Sequence, residues 1–211
     1  MPTKRRLNEE EEEIQEKEEK DQQNFFVNFP KNDQQRIIGL VGEITEELTG
    51  EVLSQLFHLK ETGYEEFEET WYSRPIDFVI CSRGGDAAGM FAIYDAMRWI
   101  IQEEIEVKTF GIGQAMSGGA LLLAAGTKGK RRIGRNCRIM IHTIHGGWEG
   151  TYNSMRNEMS NLDWVQKKLV ECLVSETKYT VKQLEKLFEK GEDIYLDAEE
   201  AIKKGFADII V

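Results

Sequence analysis

Val107-Lys-Thr-Phe-Gly-Ile-Gly-Gln-Ala-Met-Ser117-Gly-Gly-Ala-Leu-Leu-Leu-Ala-Ala-Gly126 is the stretch that decides the fold. Val107 to Ile112 reads as a strand, and Gly118 to Ala125 reads as an apolar helix, with a glycine-flanked turn between them. A serine at such a junction is presented on a sharp turn. The glycines beside it let a substrate backbone approach closely. The free N–H groups and positive end of the helix suit an oxyanion formed when the serine attacks a carbonyl. The same position also suits a helix N-cap, so spacing alone leaves Ser117 open between cap and nucleophile.

The flanks extend the same alternation. Upstream, Ile76 to Cys81 reads as a buried strand ending at Ser82-Arg83-Gly84-Gly85. A helix over 87–102 follows, with Met90, Ile93, Tyr94, Met97 and Ile101 on one face. Earlier still, Ile37 to Val41 reads as a buried strand and Thr45 as an N-cap. Leu48, Val52, Leu53, Leu56 and Phe57 then repeat at helical spacing. Glu61 to Arg74, charged and aromatic, reads as an exposed connection. Downstream come a basic loop over 128–135, a strand over 138–143, a Gly146-Gly147 turn and a long amphipathic helix over 151–175. A short helix over 181–190 precedes the C-terminal stretch. Strands alternating with helices predict an α/β fold with a mainly parallel sheet.

Composition bounds the function. The chain has 211 residues and a formal net charge of −11, which disfavours nucleic acid as a partner. Three cysteines, Cys81, Cys137 and Cys172, match no zinc spacing and read as small buried residues in a reducing, cytoplasm-like compartment. With three histidines in all, a multi-histidine metal site is not expected, and neither is a cofactor. No run approaches the roughly 18 apolar residues of a membrane span, and no secretory or transit signal fits the N-terminus. Residues 1–34 read as an acidic, disordered tail and residues 35–211 as the folded domain.

A serine nucleophile needs a base. His58 falls within the first helix, where a surface histidine is the default. His142 ends an apolar strand, where parallel sheets hold catalytic groups, and is favoured over His145 in the following turn. Asp193, opening the extended Ile194-Tyr195-Leu196, is one candidate for the carboxylate that orients the imidazole. The Gly84-Gly85 turn could supply an oxyanion donor or serve structure alone.

Together these residues resemble the Clp protease proteolytic subunit. The resemblance is carried by Ser82-Arg83-Gly84-Gly85, by Ala92 to Met97, by Gly113-Gln114-Ala115-Met116-Ser117-Gly118-Gly119-Ala120, and by Leu121 to Arg132. It continues in Asn136-Cys137-Arg138-Ile139-Met140-Ile141-His142, in Asp193 to Leu196, and in Ala198 to Asp208. It implies a ClpP/crotonase-like α/β fold of repeated ββα units with a long handle helix. It also implies an ATP-dependent serine endopeptidase with Ser117 as nucleophile, His142 as base and Asp193 as its orienter. Backbone N–H groups of Gly85 and Gly118 would form the oxyanion hole, and Gly146 and Gly147 would lie in a strand that holds substrate. Stacked heptameric rings enclosing unfolded substrates and an AAA+ unfoldase partner are implied with it. The alternatives are a virus-encoded or stand-alone processing protease without an unfoldase, and a non-proteolytic crotonase-like protein. The chain departs from the family pattern in several places. Arg83 stands for a proline, Asp86 adds a charge, Thr143-Ile144 replaces Gln-Pro, and Met116 and Gly118 invert the small and bulky flanks of the serine.

Overall fold

A computed structural model describes residues 35–147 and 149–211. The acidic tail over 1–34 lies outside the described residues. Strand β1 (Ile37–Ile44) leads through the N-cap Thr45, whose hydroxyl accepts from Leu48 N at 3.2 Å, into α1 (Glu46–Glu61). The exposed connection expected next is a hairpin of β2 (Tyr64–Phe67) and β3 (Thr70–Ser73). Glu68 and Glu69 carry positive φ of 50° and 61°, the pair of left-handed residues that a tight antiparallel turn requires. Then come β4 (Ile76–Gly85), α2 (Ala87–Gln102), β5 (Val107–Met116) and α3 (Gly118–Ala124). Asp86, the charge beside the glycine turn, caps α2 by accepting from Gly89 N at 2.7 Å. The chain continues through β6 (Arg132–Ile133), β7 (Arg138–Ile141), α4 (Tyr152–Glu176), α5 (Val181–Phe188), β8 (Ile194–Leu196), α6 (Ala198–Lys204) and β9 (Ile209–Ile210).

Seven strands form one sheet in the order β1-β4-β5-β6-β9, with β7 on β5 and β8 on β7. All pairings are parallel except β7–β8. Alternation along β1 and β4 buries Ile38, Leu40, Phe78 and Ile80 in the core that α1, α2 and α3 complete. The other face stays open, with Ile37, Val41 and Ile112 exposed, so β1 is a half-exposed edge strand rather than a buried one. The strand β5 runs past Ile112 because Gly113, at φ 64°, admits a bulge where the register to β4 shifts. Beyond that bulge β5 leaves β6 and pairs with β7.

The basic loop is not wholly solvated. Arg131 is buried at 4% exposure. Of the cysteines, Cys137 is buried, with its thiol pushed up to about 11 by desolvation and then by Cys81, whereas Cys81 and Cys172 are half-buried. No helix among the described residues is long and apolar enough to cross a membrane.

Candidate active site

Ser117 closes β5 and opens α3. Its φ of 52° and ψ of −120° lie in a region that a non-glycine residue occupies at a cost of about 1–3 kcal/mol. Ser117 occupies the N-cap position of α3, but its hydroxyl makes no cap bond to the helix. Its backbone N–H instead donates to Met140 O at 2.7 Å, pinning the turn to β7.

The pairing β5–β7 sets Met116 beside Met140, so the next residue on β5 and the residue after Ile141 converge. His142 follows β7 directly, and its Nε2 lies 2.9 Å from Ser117 Oγ. The antiparallel register Ile139–Leu196, Met140–Tyr195, Ile141–Ile194 continues to place His142 opposite Asp193. Asp193 Oδ1 stands 3.6 Å from His142 Nδ1, outside direct hydrogen-bond range. Burial lowers the pKa of His142, and neighbouring His145 lowers it further, against the opposing pull of Asp193. The net shift is downward, which favours the neutral form of the ring.

Gly84 and Gly85 form the opposite wall. Both have positive φ, 92° and 148°. A Cβ on Gly84 would stand 2.7 Å from Ser117 Cβ, so only glycine allows β4 this close to the serine. Buried Ser82 fixes the turn by accepting from Gly84 N at 3.0 Å. Asp86 N donates to Ile44 O at 2.8 Å, tying the end of β4 to β1. A cleft of about 380 Å³ bordered by Gly42, Glu43, Arg83, Gly84, Gly85 and Gln114 runs along these strand ends. The inverted flanks of the serine have a packing reason. A Cβ on Gly118 would meet Met90 Cγ at 3.0 Å and Ile44 Cδ1 at 3.1 Å, so Met90 fills the space a bulkier residue would take.

Gly146 and Gly147 do not lie in a strand. Residues 142–147 form an irregular connection that pairs with no strand of the described residues. Gly146 packs on Leu162 of α4, 2.9 Å from where a Cβ would sit, and Gly147 borders open space. His58 is exposed on the last turn of α1, on a different element from His142. Sequence reasoning missed Gln166 of α4. Its Oε1 accepts from Thr143 Oγ1 at 2.8 Å and Ile144 N at 2.7 Å, tying the segment after the histidine to the helix. More than twenty residues separate these partners, so no local pattern announces them.

A serine lifted on a strained strand–helix turn, with an imidazole nitrogen 2.9 Å from its hydroxyl, is the arrangement of a serine hydrolase on an α/β scaffold. Comparison with known proteins narrows this. The Clp protease family model matches residues 19–211. The ATP-dependent Clp protease proteolytic subunit 1 of Leifsonia xyli subsp. xyli is 35% identical over 175 residues, 83% of this chain and 82% of that one. The proteolytic subunit 2 of Chlamydia pneumoniae is 37% identical over 177 residues, 83% and 80% of the two chains. That of Thermobifida fusca is 34% identical over 177 residues, 84% and 81% of the two. The chain belongs to the Clp protease family and is a serine endopeptidase.

Proposed function

We propose that this chain hydrolyses peptide bonds of unfolded proteins with Ser117 as nucleophile, His142 as general base and Asp193 as the group that orients it. The observation carrying this reading is the 2.9 Å contact between His142 Nε2 and Ser117 Oγ at a serine that makes no cap bond. Ser117 Oγ attacks the scissile carbonyl while His142 Nε2 takes its proton. The carbonyl oxygen becomes an oxyanion facing the N–H groups of Gly85 and Gly118. Collapse breaks the C–N bond, and the imidazolium returns its proton to the leaving amine. Water, deprotonated by the same histidine, then releases the acyl group from Ser117. Gly146 and Gly147 bind substrate main chain in this reading.

Two exposed apolar surfaces support assembly into stacked heptameric rings. One is the open sheet face around Ile37, Val41 and Ile112, since parallel sheets are normally covered on both faces. The other is α4, where Tyr152, Met155 and Met159 share one side and are exposed. The relatives' names carry the words ATP-dependent, and the partner proposed for this chain is accordingly an AAA+ unfoldase. A reducing, cytoplasmic setting suits its three unpaired thiols.

The test is labelling of the assembled native protein with a serine-directed fluorophosphonate, followed by peptide mapping. A single adduct on Ser117, lost when the protein is unfolded first, is expected. An adduct elsewhere, or none, would sink the assignment. Because Asp193 is 3.6 Å from Nδ1 and partly exposed, Asp193→Asn is expected to lower kcat at least about tenfold less than His142→Ala does. Steady-state cleavage of a fluorogenic peptide measures both.

A further inference from the structure

His145 stands three residues beyond His142, in the connection between β7 and α4. Its ring meets the His142 ring edge to face, with centroids 4.5 Å apart and planes at 66°. That is the arrangement in which two aromatic rings attract. The other restraints on His142 are uneven. Ser117 holds Nε2 at 2.9 Å. On the Nδ1 side Asp193 is 3.6 Å away with its side chain 44% exposed, and the Tyr195 hydroxyl reaches it only at 3.5 Å. A ring held by one hydrogen bond can still swivel, and each swivel takes Nε2 off the serine. His145 itself has a firm base, because Thr143 and Ile144 just before it are tied to α4 through Gln166.

We propose that His145 is a positioning residue for the hydrolysis: its ring braces the His142 imidazole in the orientation that presents Nε2 to Ser117. The inference rests on the reading of His142 as base. It also has an electrostatic consequence. The groups facing His142 are the Ser117 hydroxyl at the start of α3, Asp193 before β8 and His145. Behind Asp193 stand the Tyr195 hydroxyl and, 5.8 Å from the Tyr195 ring, the Arg138 guanidinium of β7. Asp193 favours a charged His142, whereas burial and His145 disfavour it. Removing His145 therefore raises the pH at which His142 loses its proton, and the acid limb of kcat/KM moves upward.

The experiment compares the assembled wild type with His145→Leu, His145→Phe and His142→Ala on a fluorogenic peptide across pH. His145→Leu is expected to lower kcat about three- to tenfold with KM little changed, and to shift the acid limb to higher pH. His145→Phe restores an aromatic edge without a charge, so kcat should recover while the acid limb stays shifted. Wild-type kcat and an unmoved limb in His145→Leu, beside an inactive His142→Ala, would overturn this proposal alone. So would a His145→Phe variant no better than the leucine one. Full activity in His142→Ala would overturn the base assignment and this proposal with it.

Discussion

Replacing Ser117 with alanine is expected to lower kcat for peptide cleavage by about 10⁵- to 10⁶-fold while leaving substrate binding nearly intact. The reason is that the Oγ–carbonyl bond exists only beyond the ground state, so its loss falls on the transition state. Alanine keeps a Cβ at φ 52° and therefore keeps the backbone strain, and the melting temperature should stay within error of wild type. Ser117→Gly separates the two roles. Glycine adopts this φ freely, so that variant should be equally inactive but more stable by about 1 kcal/mol. Calorimetry beside the peptide assay reads both. A glycine variant that is less stable than wild type would show that the turn is not strained. An active alanine variant would remove Ser117 from the chemistry.

Arg131→Met is expected to destabilise the fold by about 3–5 kcal/mol, the scale for breaking a buried ion pair by removing one partner. The Arg131 Nη1 donates to Ala124 O at 3.0 Å, Glu176 O at 2.9 Å and Gly205 O at 2.8 Å, which gathers the ends of α3, α4 and α6 at one point. Its Nε and Nη2 donate to Asp208 Oδ2 and Oδ1 at 2.8 and 2.6 Å. Methionine fills much of the volume but leaves the carboxylate and three carbonyls without this donor. Burial alone would raise the Asp208 carboxyl, but its hydrogen bonds and the charge of Arg131 outweigh that and hold it below the usual carboxylate range. The folded state thus binds this proton less readily than the unfolded chain. Its contribution is fully present above the unfolded carboxylate value near 4 and is lost as pH falls through the folded one. Denaturant unfolding of wild type and variant should therefore show a gap that is wide at pH 7 and narrows below about pH 4. A gap that is constant with pH would mean that the pair with Asp208 contributes nothing and that the loss is one of packing.

Much of this was written locally. The βα alternation follows from apolar runs of strand and helix period, and α2 spans 87–102 as its spacing predicts. Thr45 and the glycines that end β4 act within a few residues of themselves, so sequence reveals them. The hairpin over 64–73 was missed because its turn is Glu68-Glu69, residues without the glycine or asparagine that ordinarily marks one, and because no strand residue in it is buried to create alternation.

By itself, then, the sequence determined the α/β class, the strand–turn–helix that carries Ser117 and, through ordered motifs, the family. Three things required the tertiary structure. The antiparallel addition of β8 to β7 is a long-range pairing, and it alone brings Asp193 opposite His142 across fifty residues of intervening chain. The freedom of the Ser117 hydroxyl from the helix is a matter of backbone angle, to which residue type is blind. The role of Arg131 depends on burial among groups as distant as Asp208, whereas its neighbours in sequence read only as a basic loop. Local patterns report propensity. Register, torsion and burial are set by contacts between distant parts of the chain, and those contacts turn Ser117, His142 and Asp193 into neighbours.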